Sequence, residues 1–291
     1  MSDVATQALF AQLLLGLING AFYALLSLGL AVIFGLLNVI NFAHGALYMM
    51  GAFAAWFLLR YAGVGFWGAL VVAPVAVGLL GAALERALLR RLQGLDHLYG
   101  LLLTFGLALV FQGLFVNAFG TSGQPYPVPP ALEDGRDLGF IFLPNYRSFI
   151  VAFSLAACLA TWYLVERTKL GSYLRAATEN RALVQAFGVD VPRLVTLTYG
   201  LSVGLAALAG VLAAPIYRVS PLMGADLIIV VFAVVVIGGM GSILGSIVTG
   251  FGLGVVEGLT KVFYPEASNI VIFVVMALVL LVKPAGLFGR A

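Results

Sequence analysis

From Val4 to Leu59 the chain carries no Asp, Glu, Lys or Arg. Charged residues make up about a quarter of an ordinary soluble domain. This chain is 63% hydrophobic and 9% charged, with a mean hydropathy of +1.11. Apolar runs of about 20 residues, enough to cross the hydrocarbon core as a helix, recur along nearly all 291 residues. Lipid offers no hydrogen bonds, so each such run must satisfy its own backbone, and a helix does this. The expected fold is therefore all-α: a polytopic integral membrane protein forming one domain over 1–291, with no soluble stretch long enough to bury a core of its own.

The run is interrupted at Gly35–Gly51, GLLNVINFAHGALYMMG, which places Asn38, Asn41, His44 and three glycines among apolar residues. Polar or broken backbone at membrane depth is tolerated only against protein or a water-filled path. The stretch is read as a joint beside a translocation pathway. Helices are expected over Ala8–Phe34 and Gly45–Arg60 on its two sides. Further spans are read at Phe66–Leu84, kinked by Pro74, at Leu98–Phe119, at Ser148–Val165 and at Leu194–Tyr217. Leu227–Leu259 is split in two at Gly238-Gly239-Met240-Gly241-Ser242, and a last span covers Ile270–Val282. The expectation is eight or nine spans, one of them broken or re-entrant. The first is read as a retained helix, because no basic segment precedes it and no cleavage site follows.

Lys and Arg in short loops bias toward the cytoplasm. Loop 85–97 holds three, segment 166–193 five and the tail two. These segments share one side if the Gly238–Ser242 break does too, which leaves the amino terminus and the loops 120–147, 218–226 and 260–267 outside and the carboxyl terminus inside.

Much chemistry is absent. No G-x-x-x-x-G-K-[ST] occurs and no Lys follows a glycine, so the chain has no Lys-anchored phosphate cradle. Two histidines, His44 and His97, and one cysteine, Cys158, leave no metal cluster, no intrachain disulfide and no catalytic triad. The net charge of +3 sits in a few loops and implies no nucleic-acid partner. No catalytic, cofactor or metal site is expected. Glu257 is the main acid inside a span; Lys261 at i+4 suggests a surface pair near a helix end. Asn19, Tyr23, Thr104, Tyr199 and Ser202 read as interhelical hydrogen-bonding groups.

Gly171–Pro192, GSYLRAATENRALVQAFGVDVP, has the form of a short amphipathic helix. Thr178 is placed as its N-cap, Leu183 and Phe187 share a face at i,i+4, and Gly188 takes the C′ position. Such a helix either lies on the membrane surface or docks into a groove on a cytosolic partner, and pattern alone leaves both open.

Asn41-Phe42-Ala43-His44-Gly45 followed by Tyr48-Met49-Met50-Gly51 resembles the LivH-type permease subunits of branched-chain amino acid ABC importers. The same order of motifs continues through Leu84-Glu85-Arg86, Thr104-Phe105-Gly106-Leu107, Arg175-Ala176-Ala177-Thr178-Glu179-Asn180, Ala209-Gly210-Val211, Gly238-Gly239-Met240-Gly241-Ser242, and Lys283-Pro284 before Gly286-Leu287-Phe288-Gly289. The resemblance implies two cytosolic ATP-binding subunits holding ATP and Mg, a second permease, homologous or identical, a periplasmic substrate-binding protein, and a bacterial inner membrane. By the same likeness Gly171–Pro192 is similar to a coupling helix, with Arg175, Ala177, Glu179, Leu183, Phe187 and Gly188 at the ATPase contact. Here the chain departs from the common importer signature, since Arg175 stands where that signature has glutamate and Gly188 comes late. Asn38, Asn41, His44, Gly45, Gly238, Gly239 and Gly241 are expected along the pathway or its helix breaks. The expected mechanism is alternating access driven by separate ATPases. A urea or short-chain amide permease of the same family, and a secondary transporter or channel, are the alternatives.

Overall fold

The computed structural model describes residues 2–37, 41–92, 94–137, 139 and 142–289. Among them are eleven α-helices: α1 (Ser2–Leu37), α2 (Ala43–Ala62), α3 (Phe66–Ala87), α4 (His97–Phe119), α5 (Asn145–Arg167), α6 (Lys169–Glu179), α7 (Arg181–Ala186), α8 (Val191–Ala213), α9 (Met223–Gly238), α10 (Ile243–Phe263) and α11 (Val271–Val282). Six of these, α1, α3, α4, α5, α8 and α10, lie in segments long and apolar enough to cross a membrane. At about 1.5 Å per residue, the 16 residues of α9 and the 12 of α11 fall short of a hydrocarbon core about 30 Å thick.

Helix ends follow local chemistry. Asp96 and Asp190 cap α4 and α8, accepting from the N–H groups of Leu98 and Arg193. Gly63, with φ of 65°, ends α2 in the left-handed region. The sixth span begins earlier than its hydropathy suggests, at Val191, because Asp190 provides a cap and Pro192 fits the first turn. It also stops at Ala213, short of the expected Tyr217.

Backbone contact at small residues holds the bundle together. Apolar burial gives no net drive between helices in lipid, so close packing must supply it. On α1 and α10, a Cβ at Gly254 would meet the Gly20 backbone at 2.4 Å, and one at Gly16 the Gly254 carbonyl at 2.4 Å. On α2 and α8, a Cβ at Gly51 would lie 2.3 Å from the Ala207 carbonyl oxygen. The core sits around α2, where Tyr48, Met49 and Phe53 are buried in one cluster with residues of α1 and α8, and the Phe53 ring packs on Phe115 and Phe119 of α4. α4 is peripheral and buries only Gly100 and Thr104.

The long loop before α5 contains two short strands. Strands β1 (Gly135–Asp137) and β2 (Phe142–Pro144) pair antiparallel, Arg136 opposite Leu143. Gln124 and Val219 exchange both backbone hydrogen bonds, at 2.8 and 2.9 Å, tying this loop to the α8–α9 link. Tyr126 is buried beneath it, and that burial pushes its phenol up to about 12.

Candidate functional site

The α1–α2 joint builds a buried polar cluster. Asn41 Nδ2 donates to the Tyr199 hydroxyl on α8 at 2.9 Å. The Asn41 carbonyl accepts from the His44 N–H, and Phe42 N–H donates to Thr104 Oγ1 at 3.3 Å. His44 is fully buried, its Nε2 3.1 Å from the Leu26 carbonyl, so the Nε2-protonated tautomer donates there. Asn41 Oδ1 and His44 Nδ1 have no hydrogen-bond partner among the described residues. Gly29 makes this possible: a Cβ there would meet the Ser202 carbonyl at 2.8 Å and the imidazole at 3.0 Å. Gly45 lies against α9, where a Cβ would be 2.5 Å from the Gly224 carbonyl. Asn38 lies outside the described residues.

The second break separates α9 from α10. Gly239 and Gly241 have φ of 99° and 83°, conformations that a side chain would strain. Ser242 caps α10 by accepting from the Gly245 N–H at 3.1 Å. The carboxyl-terminal tail then folds back onto the break. Leu287 N–H donates to the Ile237 carbonyl at 2.8 Å and Phe288 N–H to the Gly238 carbonyl at 3.1 Å. These are carbonyls that a helix end otherwise leaves unpaired. Gly239 and Gly286 let the break and the tail touch, since a Cβ at Gly286 would meet Gly239 Cα at 2.5 Å.

Where one coupling helix was expected, the chain forms two, α6 and α7. Thr178 does not cap the second; it sits inside α6, donating to the Arg175 carbonyl at 2.7 Å. The cap is Asn180, whose side chain accepts from Leu183 N–H at 3.0 Å. The extended backbone of Asn180 breaks the helix in two, and its short amide is suited to that position. Gly188, φ 83°, terminates the turn after α7. Ala177 is buried with Val184, Val191 and Val195 against the start of α8. Leu183 and Phe187 point the other way, 54% and 79% exposed, and Glu179 is exposed as well. Arg175 donates to the Val165 carbonyl at 3.1 Å and to Glu166 at 3.2 Å, joining α6 to the end of α5.

α6, the α9–α10 break and the tail meet around a cavity of about 830 Å³. Its wall takes Gly35 from α1, Arg175 and Thr178 from α6, Gly241 and Ser242 from the break, and Phe288 from the tail. Asn41, His44, Gly45, Gly238 and Gly239 are not among its lining residues. The end of the bundle bearing α6 and α7 therefore also carries the α9–α10 break and the tail, and the Arg90 side chain reaches the Pro192 carbonyl there at 2.9 Å. The three basic segments thus gather at one end.

Two acids are more deeply placed than their sequence context suggests. Glu85 is fully buried at the end of α3, accepts from Thr196 Oγ1 at 2.6 Å, and faces Arg90 at 3.7 Å. Glu257 is not a surface pair with Lys261. It is buried, and besides Lys261 it accepts from Tyr23 at 2.7 Å and Asn19 at 3.3 Å. The signal available was Asn19 and Tyr23 at i,i+4 in an uncharged span, which needed a polar partner from another helix. Among the described residues no group of His, Cys, Asp and Glu is arranged to hold a metal.

Comparison with known proteins completes the description. Residues 12–280 match a family model described as the branched-chain amino acid transport system permease component. The high-affinity branched-chain amino acid transport system permease protein LivH of Escherichia coli K12 is 28% identical, over 96% of this chain and 95% of its own length. BraD of Pseudomonas aeruginosa, of the same description, is 29% identical with the same coverage. LivM of Escherichia coli K12, another permease protein of that system, is 29% identical over 91% of this chain and 67% of its own length. No solved structure matches.

Proposed function

From the premise that the chain belongs to the branched-chain amino acid transport permease family, as a permease subunit of an ABC importer, we propose that it moves branched-chain or other hydrophobic amino acids inward by alternating access. The observation that carries this reading is the shared cavity. α6, which leads directly into α7, and the glycine break between α9 and α10 line one space, so a push on α7 has a short mechanical path to the break. α7 is built to receive that push. Its Val184 side is anchored to α8, while Leu183 and Phe187 stand free as apolar anchors for a partner groove.

In this reading the α6–α7 end faces the cytoplasm of a bacterial inner membrane, and of two ATP-binding subunits one docks on Leu183, Phe187, Glu179 and Gly188 and the other on a second permease. ATP and Mg are held by those subunits, and this chain performs no catalysis. Closure of the ATPase pair moves α6–α7 as a unit, because Arg175 and Ala177 fasten it to α5 and α8. The positive-φ turn at Gly239–Gly241 and the α1–α2 joint at Asn41, His44 and Gly45 then shift, opening the path first to one side and then to the other. A second permease, homologous or identical, completes the path, and a periplasmic binding protein delivers substrate. The largely uncharged spans suit a ligand with an apolar side chain.

The test is Leu183→Asp with Phe187→Asp. Both side chains are exposed in the chain, so the fold is kept. The double variant should lose co-purification of the ATPases and at least ten-fold of ATP-driven uptake. Normal assembly and uptake would overturn the reading.

A further inference from the structure

A second polar cluster joins the middle of α1 to the carboxyl-terminal part of α10, at the end of α10 away from the glycine break. It is layered. At the bottom the Glu257 carboxylate, 6% exposed, accepts from the Tyr23 hydroxyl at 2.7 Å, from Asn19 Nδ2 at 3.3 Å and from the Lys261 ammonium. Above it the Lys261 side chain is 34% exposed, and Tyr217, on the α8–α9 link, is 44% exposed and donates to Asn19 Oδ1 at 3.4 Å. The Tyr217 ring is held edge-on by buried Phe22, centroids 5.9 Å apart.

An ammonium and a phenol opening onto hydrocarbon would carry a cost of several kcal/mol, so the open side of this cluster faces water or the headgroup layer. The arrangement is then complementary to one chemical class. An α-amino acid zwitterion has a carboxylate that fits the accessible Lys261. Its ammonium fits the Glu257 carboxylate, the Asn19 carbonyl oxygen and the Tyr217 hydroxyl oxygen. Its side chain can lie on the Tyr217 ring. Entry exchanges one internal ion pair for two pairs to the ligand, so no net charge is added to the low-dielectric interior. An amine or a carboxylate can satisfy only half of the exchange and leaves one buried charge uncompensated, and a neutral amide can replace neither partner of the internal ion pair.

We propose that Asn19, Tyr217, Glu257 and Lys261 form a recognition site for the zwitterionic head of an apolar amino acid, at the end of the bundle opposite α7. The proposal rests on the transport reading for the direction of travel. It assigns discrimination between amino acids and neutral amides to the permease itself.

The experiment uses the assembled transporter, this chain with its second permease and ATPases in nanodiscs, without the binding protein. Saturation-transfer NMR reads weak binding of L-leucine, of leucinol, which lacks the carboxylate, and of 4-methylpentanoate, which lacks the ammonium. Leucine should give transfer on the wild type. The signal should fall at least ten-fold with either analogue, and for leucine with Lys261→Gln or Glu257→Gln, while Lys261→Arg retains most of it. If Glu257→Gln fails to assemble, the two analogues and the Lys261 pair of variants decide alone. Equal transfer from leucine and both analogues, or leucine transfer unchanged in Lys261→Gln, overturns the site, as does absence of transfer on the wild type. Uptake with the binding protein added separates the two readings. A complex that imports leucine but fails these tests refutes only the site, and one that imports no amino acid refutes the transport reading.

Discussion

Removal of the tail beyond Lys283 tests how the helix break is held. The truncation deletes two donors, the Leu287 N–H to the Ile237 carbonyl at 2.8 Å and the Phe288 N–H to the Gly238 carbonyl at 3.1 Å. Each such bond contributes about 1 kcal/mol net, so the last turn of α9 should lose about 2 kcal/mol of protection against local opening. Because opening free energy sets amide exchange in the native state, exchange at residues 234–242 should accelerate roughly thirty-fold. Amides in the centre of α2, which does not touch the tail, should not change. Hydrogen exchange read by mass spectrometry on the purified complex measures both segments in one experiment. Exchange at 234–242 within two-fold of the full-length chain would refute the view that the tail secures the break.

Gly51→Ala should lower stability by about 1–3 kcal/mol, because its Cβ would lie 2.3 Å from the Ala207 carbonyl oxygen and must force α2 from α8; Gly106→Ala on α4, with nothing within 4 Å, should raise it by up to about 1 kcal/mol, and thermal unfolding of the two variants should shift in opposite directions. Glu85→Ala should cost about 3 kcal/mol, since it strips Thr196 and Arg90 of a buried carboxylate partner; a melting temperature equal to wild type would refute this. Burial raises the Tyr126 pKa to about 12 from about 10 in the unfolded chain, so its contribution to stability is complete below pH 10 and is lost as pH rises from 10 toward 12. Tyr126→Phe should remove that part of the alkaline destabilisation, seen as protease sensitivity of the loop 121–147, at little cost because the hydroxyl has no partner among the described residues.

Element positions were legible because each depends on local pattern. Apolar length marked the spans, and Gly238–Ser242 marked the break between α9 and α10. The α6–α7 segment misled in its break: it forms two helices where one was expected, because Thr178 and Asn180 both have cap chemistry and only the turn in the chain decides which of them uses it. Glu257 misled more seriously. Its i+4 neighbour Lys261 offered a sufficient local explanation, while the partners that bury it, Tyr23 and Asn19, lie on α1, more than 230 residues away.

The sequence by itself determined that this chain lives in a bilayer as helices, roughly where most of them lie, and where the glycine break between α9 and α10 falls, since hydrocarbon length and glycine conformation are properties of neighbours along the chain. Only the tertiary structure decided what those breaks touch. It seated His44 against Leu26 and Gly29, brought the tail onto α9, joined α6 and the glycine break across one cavity, and sank Glu257 beneath Lys261. In lipid such pairings come from close backbone contact between small residues and from polar groups finding partners on other helices, and neither leaves a periodic trace in the sequence.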